Sequence, residues 1–261
     1  MKLLVKLGGT LLDSDATRER LAEQIAAAAQ RLPLVVVHGG GRQMTRFLDE
    51  RGVESRFVNG LRVTTPEILD AVIKVVSGSV NRQLVATLNR AGARAVGLSG
   101  IDACLVEAEQ MDPMLGSVGR VVRADPALLH LLLGGGFLPV VACVAGDRQG
   151  RFYNVNADQM AVACAAAFGA DQLIFLTDVE GVLDGRKQLL SRLTLSQSEA
   201  VIAGGAATGG MLAKLNAAHA ALREGVSQVR IAAGSADLIL ERILAGEDAG
   251  TRLVEREVHA G

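Results

Sequence analysis

The chain has 261 residues, of which 49% are hydrophobic and 30 are glycine, and its formal net charge at pH 7 is −1. This length is sufficient for a large buried core, while the near-zero charge excludes a general electrostatic attraction to nucleic acid or to an anionic membrane. Six Phe, one Tyr and no Trp leave few aromatic rings on which nucleic-acid bases could stack. These figures favour a compact α/β protein with many tight turns.

The chain shows no membrane or export signal. Lys6 and Gly8 interrupt the first apolar run, so it does not resemble a signal peptide, and no apolar stretch approaches the roughly 18 residues that span a bilayer. The cysteines are odd in number and lie in apolar surroundings, which predicts reduced, buried thiols in a cytoplasmic protein: Cys104, Cys143 and Cys164. The histidines show no metal-ligand spacing: His38, His130, His219 and His259.

Strand and helix patterns alternate from the start of the chain. Residues 3–7 (LLVKL) predict a short buried strand, and residues 15–31 predict an amphipathic helix. Residues 34–37 (LVVV) predict a second strand, which leads into HGGG and a second helix. Asn59-Gly60 predicts a hairpin with a type I′ turn, and Thr65-Pro66 predicts the start of a long helix.

The second half of the chain continues the same alternation. Further strands are predicted at RAVGLSG, CLVEAE, GRVVRA, LPVVACV, QLIFLTD and QVRIAA, and helices begin near Pro126, Ala157, Ser196, Gly210 and Ala236. Strands that are apolar on both faces and separated by helices predict a three-layer α/β/α sandwich with a central, mainly parallel sheet. Two short β-rich insertions are expected to form antiparallel pieces at one edge, and a lobe boundary is predicted near Ala170.

Two of the predicted strands end in glycine loops, where ligands bind in open α/β sheets. Lys6 is followed by Gly8 and Gly9, which let the backbone approach a ligand; the alternative is a tight turn with Lys6 in solvent. Gly39–Gly41 predict an anion-binding loop, because a plain turn does not need three glycines. The loop is not a dinucleotide fingerprint, since Met44 replaces the last glycine, and the chain has no Walker motif.

Polar residues also follow later strands. In YNVNADQ, Asn154 and Asn156 lie on one side of an extended segment, which favours a polar ligand, and Asp158 enters the next helix, where its alternative role is a simple N-cap. Asp178 follows a strand, and Lys214 lies just inside a helix after the glycine-rich GGAATGG loop. The alternatives there are a turn aspartate and a solvated lysine.

Taken together, these segments resemble the amino acid kinase family, most closely its members that phosphorylate the side-chain carboxylate of N-acetyl-L-glutamate. The matching stretches, in order, are VKLGGTLL, VVVHGGG, FVNGLRVTT, GLSG, GFLPVVACV, YNVNADQMA, LIFLTDVEGVL and TGGMLAKLNAA, and the similarity runs from Lys2 to the end. The resemblance implies the amino acid kinase fold and a cytoplasmic enzyme of arginine biosynthesis. It also implies ATP as the donor and Mg²⁺ bound through the ATP phosphates, with no protein metal site.

The resemblance also implies roles for individual residues. Lys6 and Lys214 would stabilise the transferring phosphoryl group, and Asp158 would hold both lysines. The implied substrate residues are Gly40, Gly41, Arg62, which would grip the α-carboxylate, and Asn154, with Asn156 beside it. The implied ATP-site residues are Gly8, Gly9, Asp178, Gly181, Val182, Leu183, Gly209, Gly210 and Met211. Residues 1–170 would bind acetylglutamate and dimerise, and residues 171–261 would bind ATP.

Other activities remain open at this point. Kinases that act on carrier-protein-linked aminoadipate or glutamate typically show HGGS and a TDGDQ-like segment, where this chain has HGGG and NADQ. N-succinylglutamate is another possible acceptor. A non-catalytic nucleotide-binding regulatory module is disfavoured because Lys6, Asp158 and Lys214 occur together.

The chain departs from its relatives at three places. It reads LSGIDA at 98–103 where many relatives have LSGKDG, and Cys143 stands where proline is usual. Arginine-inhibited relatives carry a helix before the first strand; because this chain's first strand begins at residue 2 or 3, we expect a homodimer that arginine does not inhibit.

Overall fold

Strands and helices alternate throughout the computed structural model, which describes residues 1–256. The strands are β1 (Leu3–Leu7), β2 (Leu34–His38), β3 (Phe57–Val58), β4 (Leu61–Arg62), β5 (Ala95–Ser99), β6 (Val106–Gln110), β7 (Val118–Ala124), β8 (Leu138–Ala142), β9 (Val144–Gly146), β10 (Phe152–Val155), β11 (Gln172–Thr177), β12 (Arg192–Thr194), β13 (Gln228–Ala233) and β14 (Thr251–Val254). The helices are α1 (Asp15–Ala29), α2 (Gly41–Asp49), α3 (Pro66–Val72), α4 (Asn81–Arg90), α5 (Ala127–Gly134), α6 (Ala157–Phe168), α7 (Leu195–Ala203), α8 (Gly209–Arg223) and α9 (Ile239–Leu244).

The central sheet has eight strands in the order β12-β14-β13-β11-β1-β2-β8-β5. Its six strands from β13 to β5 are parallel, whereas β14 pairs antiparallel with β13 and parallel with β12. Helices cover both faces, and every residue of β1, β2, β8 and β11 is buried. The predicted three-layer sandwich with a mainly parallel sheet is therefore confirmed.

The N-terminal elements follow their sequence signals. In the β3–β4 hairpin, Asn59 and Gly60 have φ angles of 50° and 78°, as a type I′ turn requires. Thr65 caps α3 by accepting a hydrogen bond from the N–H of Ile68, and Pro66 occupies its first turn. A π-helical segment, Ile73–Val80, joins α3 to α4, so the predicted long helix is confirmed.

The β-rich insertions differ from the prediction. Strands β6, β7, β9 and β10 close into a separate small sheet with both parallel and antiparallel pairs, and the β3–β4 hairpin is also separate. None of these six strands joins the edge of the central sheet. Cys143 is the single residue between β8 and β9, and the chain leaves the central sheet there. The sequence pattern predicts one apolar strand across this point.

Three further details correct the sequence analysis. The last helix begins at Ile239 rather than near Ala236, and the short strands β12 and β14 carry too few residues to show a pattern. Cys143 and Cys164 are buried as expected, but Cys104 is exposed. No helix within residues 1–256 is long and apolar enough to span a membrane.

Ala103 adopts a backbone conformation that favours glycine. Its φ and ψ angles are 50° and 29°, in the left-handed region, and Cys104 follows with φ of 54°. A side chain in this region costs about 1–2 kcal/mol. This conformation gives a physical reason for the glycine that many relatives carry at the last position of LSGKDG.

We expect Ala103→Gly to stabilise the protein by about 0.5–1 kcal/mol. Relief of the left-handed strain is partly offset by the greater freedom of glycine in the unfolded chain. Urea unfolding measures the change. Ala200→Gly, at an exposed position inside α7, is the control and should destabilise by about 1 kcal/mol. Destabilisation by Ala103→Gly would contradict the prediction.

Candidate active site

A network of one buried carboxylate, one buried lysine and one partly buried lysine lies at the carboxyl end of β1. Lys6 is only 6% exposed, and its Nζ lies 2.7 Å from Oδ1 of Asp158 on α6. Lys214, in the second turn of α8, places its Nζ 3.7 Å from Oδ2 of the same carboxylate. Asp158 therefore holds two lysines from distant parts of the chain, and the predicted trio comes together.

Asp158 stays ionised because its attraction to the two lysines outweighs the cost of burying its charge. Burial of the Asp158 carboxylate raises its pKa, but the attraction of Lys6 and Lys214 is stronger, and the net effect lowers the pKa below its usual range. With Asp158 ionised, two positive charges face one negative charge. The surplus positive charge suits an anionic ligand.

The start of α6 leaves the Asp158 side chain free for this role. Asn156 caps the helix: its side-chain oxygen accepts hydrogen bonds from the N–H groups of Asp158 and Gln159. The alternative interpretation of Asp158 as the N-cap is therefore wrong. Asn156, predicted to bind substrate, already uses its oxygen in the cap, so only its amide NH₂ is free for a ligand.

The two glycine loops lie against each other beside this network. A Cβ atom on Gly9 would lie 3.1 Å from the N of Gly41 and 3.5 Å from the N of Gly40. Gly9 and Gly41 each begin a helical segment, and N–H groups at such positions have no carbonyl one turn earlier to bond. Gln43 ties the loops together by donating from Nε2 to the Gly9 carbonyl at 3.1 Å. The N–H groups of Gly9 and Gly41 therefore lie where the two loops meet.

The prediction that the Gly8 N–H binds a phosphate is wrong. This N–H donates to the Leu176 carbonyl at 2.9 Å, so it is not free for a phosphate. A Cβ on Gly8 would lie 3.3 Å from the same carbonyl oxygen. Gly8 thus gives β1 and β11 the room to approach, and Gly9 is the one of the two that lies against the second glycine loop.

His38 occupies the end of β2 beside the second glycine loop. Its ring is fully buried; Nδ1 lies 2.9 Å from the carbonyl oxygen of Gly39, and Nε2 lies 2.9 Å from Nδ2 of Asn81. Burial, together with the nearby charge of Lys6, lowers the pKa of His38 to about 4 despite the opposing hydrogen bond to Gly39. Because the folded protein favours the neutral ring, its contribution to the free energy of unfolding is complete above about pH 6.5. This contribution is lost as the pH falls towards 4.

Arg62, on β4, presents a buried guanidinium to the first turn of α2. It donates to Oγ1 of Thr45 at 2.7 Å, to the carbonyl of Gly41 at 3.2 Å and to the hydroxyl of Ser55, and it stacks on the Phe57 ring. Burial lowers its pKa, against the attraction of nearby Asp49. Within residues 1–256 no carboxylate forms an ion pair with Arg62.

Asn154 connects the small closed sheet to this region. Its Nδ2 donates to Oγ1 of Thr64 at 3.0 Å, and the Thr64 hydroxyl donates to the Arg62 carbonyl at 2.8 Å. The predicted substrate residues Gly41, Arg62 and Asn154 are therefore joined by one set of hydrogen bonds.

The segments predicted to bind ATP lie at the ends of β11 and at the start of α8. Asp178 is exposed and accepts a hydrogen bond from the Thr177 hydroxyl. Val182 is buried and donates its N–H to Oγ1 of Thr251 at 2.8 Å, while Leu183 is partly exposed beside it. Gly181 lies against Thr251, and Gly209, Gly210 and Met211 form the first turn of α8, whose Thr208 provides no side-chain cap.

Sequence reasoning missed three residues of this region. His38 is the first residue of the HGGG segment, and Gln43 follows that segment closely. Their position next to the glycines was the feature of the sequence that could have identified them. Burial raises the pKa of the Cys143 thiol to about 11, against the nearby charge of Lys6. Only the turn between β8 and β9 brings Cys143 here. Within residues 1–256 no group of three or more His, Cys, Asp or Glu side chains could hold a metal ion.

The chain matches a known protein family over most of its length. A family model described as the amino acid kinase family matches residues 1–233. The chain is 67% identical over 255 residues to an acetylglutamate kinase of Solibacter usitatus, covering 97% of this chain and 99% of that protein. It is 44% identical over 234 residues to an acetylglutamate kinase of Geobacillus kaustophilus, covering 89% and 90%.

The structural likeness extends to proteins of different size. An N-acetylglutamate synthase from Neisseria gonorrhoeae, complexed with coenzyme A and N-acetyl-glutamate, matches with a TM-score of 0.88 at 24% identity over 98% of this chain. This chain spans 60% of that protein's length, and at this identity the likeness concerns the fold.

We expect the Lys6–Asp158 pair to be strongly coupled in stability. Asp158→Leu alone should cost about 3–5 kcal/mol, because it leaves Lys6 buried and unpaired, whereas the double variant Lys6→Met with Asp158→Leu should recover much of the loss. Urea unfolding of the four proteins measures the coupling. The exposed pair Lys74–Asp70 is the control, with a coupling of at most about 0.5 kcal/mol. Additive effects at Lys6 and Asp158 would contradict the prediction.

Proposed function

The chain belongs to the amino acid kinase family, and from that membership we propose that its buried two-lysine site transfers the γ-phosphoryl group of ATP to the side-chain carboxylate of N-acetyl-L-glutamate. The enzyme is an ATP-dependent phosphotransferase with a carboxyl group as acceptor. It catalyses the acetylglutamate kinase reaction of arginine biosynthesis. The observation that carries the proposal is the geometry in which Asp158 holds Lys6 and Lys214 beside two loops of backbone N–H donors.

The reaction itself needs no proton transfer. A glutamate-type side chain has a pKa of about 4.3, so the acceptor is already ionised at neutral pH. One carboxylate oxygen attacks the γ-phosphorus, the bond from that phosphorus to the bridging oxygen breaks, and ADP leaves with the bonding electron pair. This agrees with a site whose histidine, His38, is buried and uncharged.

The difficulty of the reaction is electrostatic, because two anions must meet. Lys6 and Lys214 neutralise the charge that spreads over the transferring phosphoryl oxygens, and the N–H groups of Gly9, Gly40 and Gly41 donate to the same charge. Asp158 positions both ammonium groups in advance, so little rearrangement is needed at the moment of transfer.

The acceptor is held by Arg62 and Asn154. Arg62 offers a guanidinium with no carboxylate partner within residues 1–256, and such a group binds a carboxylate strongly through charge-assisted hydrogen bonds. It binds the α-carboxylate of acetylglutamate, while Asn154 contacts the part that bears the acetamido group. Gly40 and Gly41 bind the end of the acetylglutamate side chain, and the amide of Asn156 also contacts the acceptor.

ATP binds mainly to the second part of the chain and also contacts the glycine loop after β1. The residues that line its site are Gly8, Gly9, Asp178, Gly181, Val182, Leu183, Gly209, Gly210 and Met211. Gly8 contributes room rather than a donor. Mg²⁺ arrives on the ATP phosphates and neutralises part of their charge. Residues 1–170 bind acetylglutamate and make a homodimer, and residues 171–261, of which 257–261 lie outside the described part of the chain, bind ATP. The enzyme works in the cytoplasm.

One assay tests the acceptor directly. ATP turnover is measured with N-acetylglutamate, N-succinylglutamate, N-acetylaminoadipate and UMP, and the acyl phosphate is trapped with hydroxylamine. N-acetylglutamate should give the highest kcat/KM. A higher kcat/KM with a different acyl group would identify that compound as the substrate instead. Absence of turnover with all four compounds would overturn the proposal.

We expect Lys6→Ala and Lys214→Ala each to lower kcat by about 10²–10³-fold with a much smaller change in KM. The lysines act on charge that develops in the transition state, and removal of such a group has an effect of this size. Lys74→Ala, at an exposed lysine that pairs with Asp70, is the matched control and should leave kcat unchanged. Near-normal kcat in both test variants would refute the assigned role.

Arg62→Ala is expected mainly to weaken substrate binding. Loss of a charge-assisted hydrogen bond is worth about 1.5–3 kcal/mol, so the KM for N-acetylglutamate should rise by roughly 10–100-fold while the KM for ATP changes little. Steady-state kinetics in both substrates provide the measurement, with Arg120→Ala on β7 as the exposed control. An unchanged KM for N-acetylglutamate would argue against the assignment.

A further inference from the structure

His38 is a fully buried polar residue to which the proposed reaction assigns no role. Its Nδ1 lies 2.9 Å from the carbonyl oxygen of Gly39. A carbonyl oxygen can only accept, so Nδ1 carries the proton in this contact. In the neutral ring Nε2 is then an acceptor, and it takes a hydrogen bond from Nδ2 of Asn81 at 2.9 Å. The two contacts define one tautomer.

Asn81 is itself held in one orientation. The same Nδ2 donates to the carbonyl of Val140 on β8 at 3.0 Å, and Asn81 is fully buried. Exchange of its oxygen and nitrogen would place two acceptors face to face at Val140. A continuous set of hydrogen bonds thus runs from β8 through Asn81 and His38 to the Gly39 carbonyl.

The orientation of that carbonyl decides where the next N–H points. In a planar trans peptide the C=O and N–H bonds point in opposite directions, and residues 1–256 contain no cis peptide. With the Gly39 carbonyl turned towards His38, the Gly40 N–H points away from the ring. The Gly40 nitrogen lies 3.5 Å from the position that a Cβ on Gly9 would take, where the two glycine loops meet. Three consecutive glycines do not hold a peptide orientation by themselves.

We propose that His38 is a positioning residue, which locks the Gly39–Gly40 peptide so that the Gly40 N–H points at the oxygens of the transferring phosphoryl group. The proposal rests on the proposed function for the identity of that group. The lock requires the neutral ring, because Nδ1 must donate to Gly39 while Nε2 accepts from Asn81. His38 touches neither substrate and acts through Gly40.

The surroundings of the ring favour the neutral form. Lys6 lies on the neighbouring strand β1, and its positive charge disfavours a second positive charge on the ring. The contacts from α4 and β8 are the Asn81 amide and the Val140 carbonyl, which are uncharged. A proton on Nε2 would meet the N–H of Asn81. The lock is therefore expected to persist throughout the neutral pH range.

Kinetics of three variants test the lock. His38→Leu keeps a side chain of similar size but loses both hydrogen bonds. Because the Gly40 N–H would then be misdirected, kcat should fall by about 10–100-fold. Each KM should stay within about threefold of the wild-type value. His38→Asn, whose amide can donate to Gly39, should recover at least tenfold of that loss. Gln24→Leu removes a buried hydrogen-bonding side chain on α1 and is the control for stability, which should fall while kcat is unchanged.

A spectroscopic measurement keeps the test independent of turnover. In protein labelled with [¹⁵N]glycine, the Gly40 amide resonance, assigned with Gly40→Ala, should shift on titration with inorganic phosphate. The shift should be seen in the wild type and in His38→Asn but not in His38→Leu. If His38→Leu does not fold, Asn81→Ala releases the ring from its second anchor and should reduce both kcat and the shift.

The outcomes separate the lock from the function. A wild type without acetylglutamate-dependent turnover refutes the proposed function, and the Gly40 resonance still decides the lock. The lock is overturned if His38→Leu retains kcat within twofold, if His38→Asn is no better than His38→Leu, or if phosphate leaves the wild-type Gly40 resonance unmoved.

Discussion

The structure depends on one buried carboxylate that compensates two ammonium groups, that of the buried Lys6 and that of the partly buried Lys214. Charges inside a protein are tolerated only when they are paired, and Asp158 pairs with Lys6 and Lys214 at the same time. Since β1, α6 and α8 carry these residues, the ion pairs connect three elements at the carboxyl end of the sheet. The incomplete compensation leaves positive charge where an anion binds, so stability and function draw on the same contact.

The glycine loops complete the site by a different means. Backbone N–H groups carry only partial charge, but their direction is precise once the peptide is held, and they cost no side-chain entropy. Gln43 holds the Gly9 loop and His38 holds the Gly39–Gly40 peptide, each through a single hydrogen bond to a carbonyl oxygen. Flexible residues therefore become a defined set of donors because neighbouring side chains restrain them.

Much of the fold follows from local patterns. The buried strands β1 and β2, the hairpin at Asn59-Gly60 and the helix start at Thr65-Pro66 were predictable, because each has its signal within a few residues. The small closed sheet was not predictable, since its path depends on the turn at Cys143 and on pairings between strands far apart in sequence. Three-residue strands such as β12 likewise form only because a longer neighbour offers free hydrogen-bonding groups.

The sequence by itself determined most of the longer strands and helices and their alternation, the glycine loops after β1 and β2, and the presence of a lysine within a buried strand, because residue type and spacing express these features directly. The tertiary structure decided the partners. It placed Asn156, not Asp158, at the cap of α6, gave the Gly8 N–H to Leu176, and brought His38 to the Gly39 carbonyl. The physical reason is that hydrogen bonds and ion pairs act over a few ångströms in space, and distance along the chain does not indicate which groups will meet.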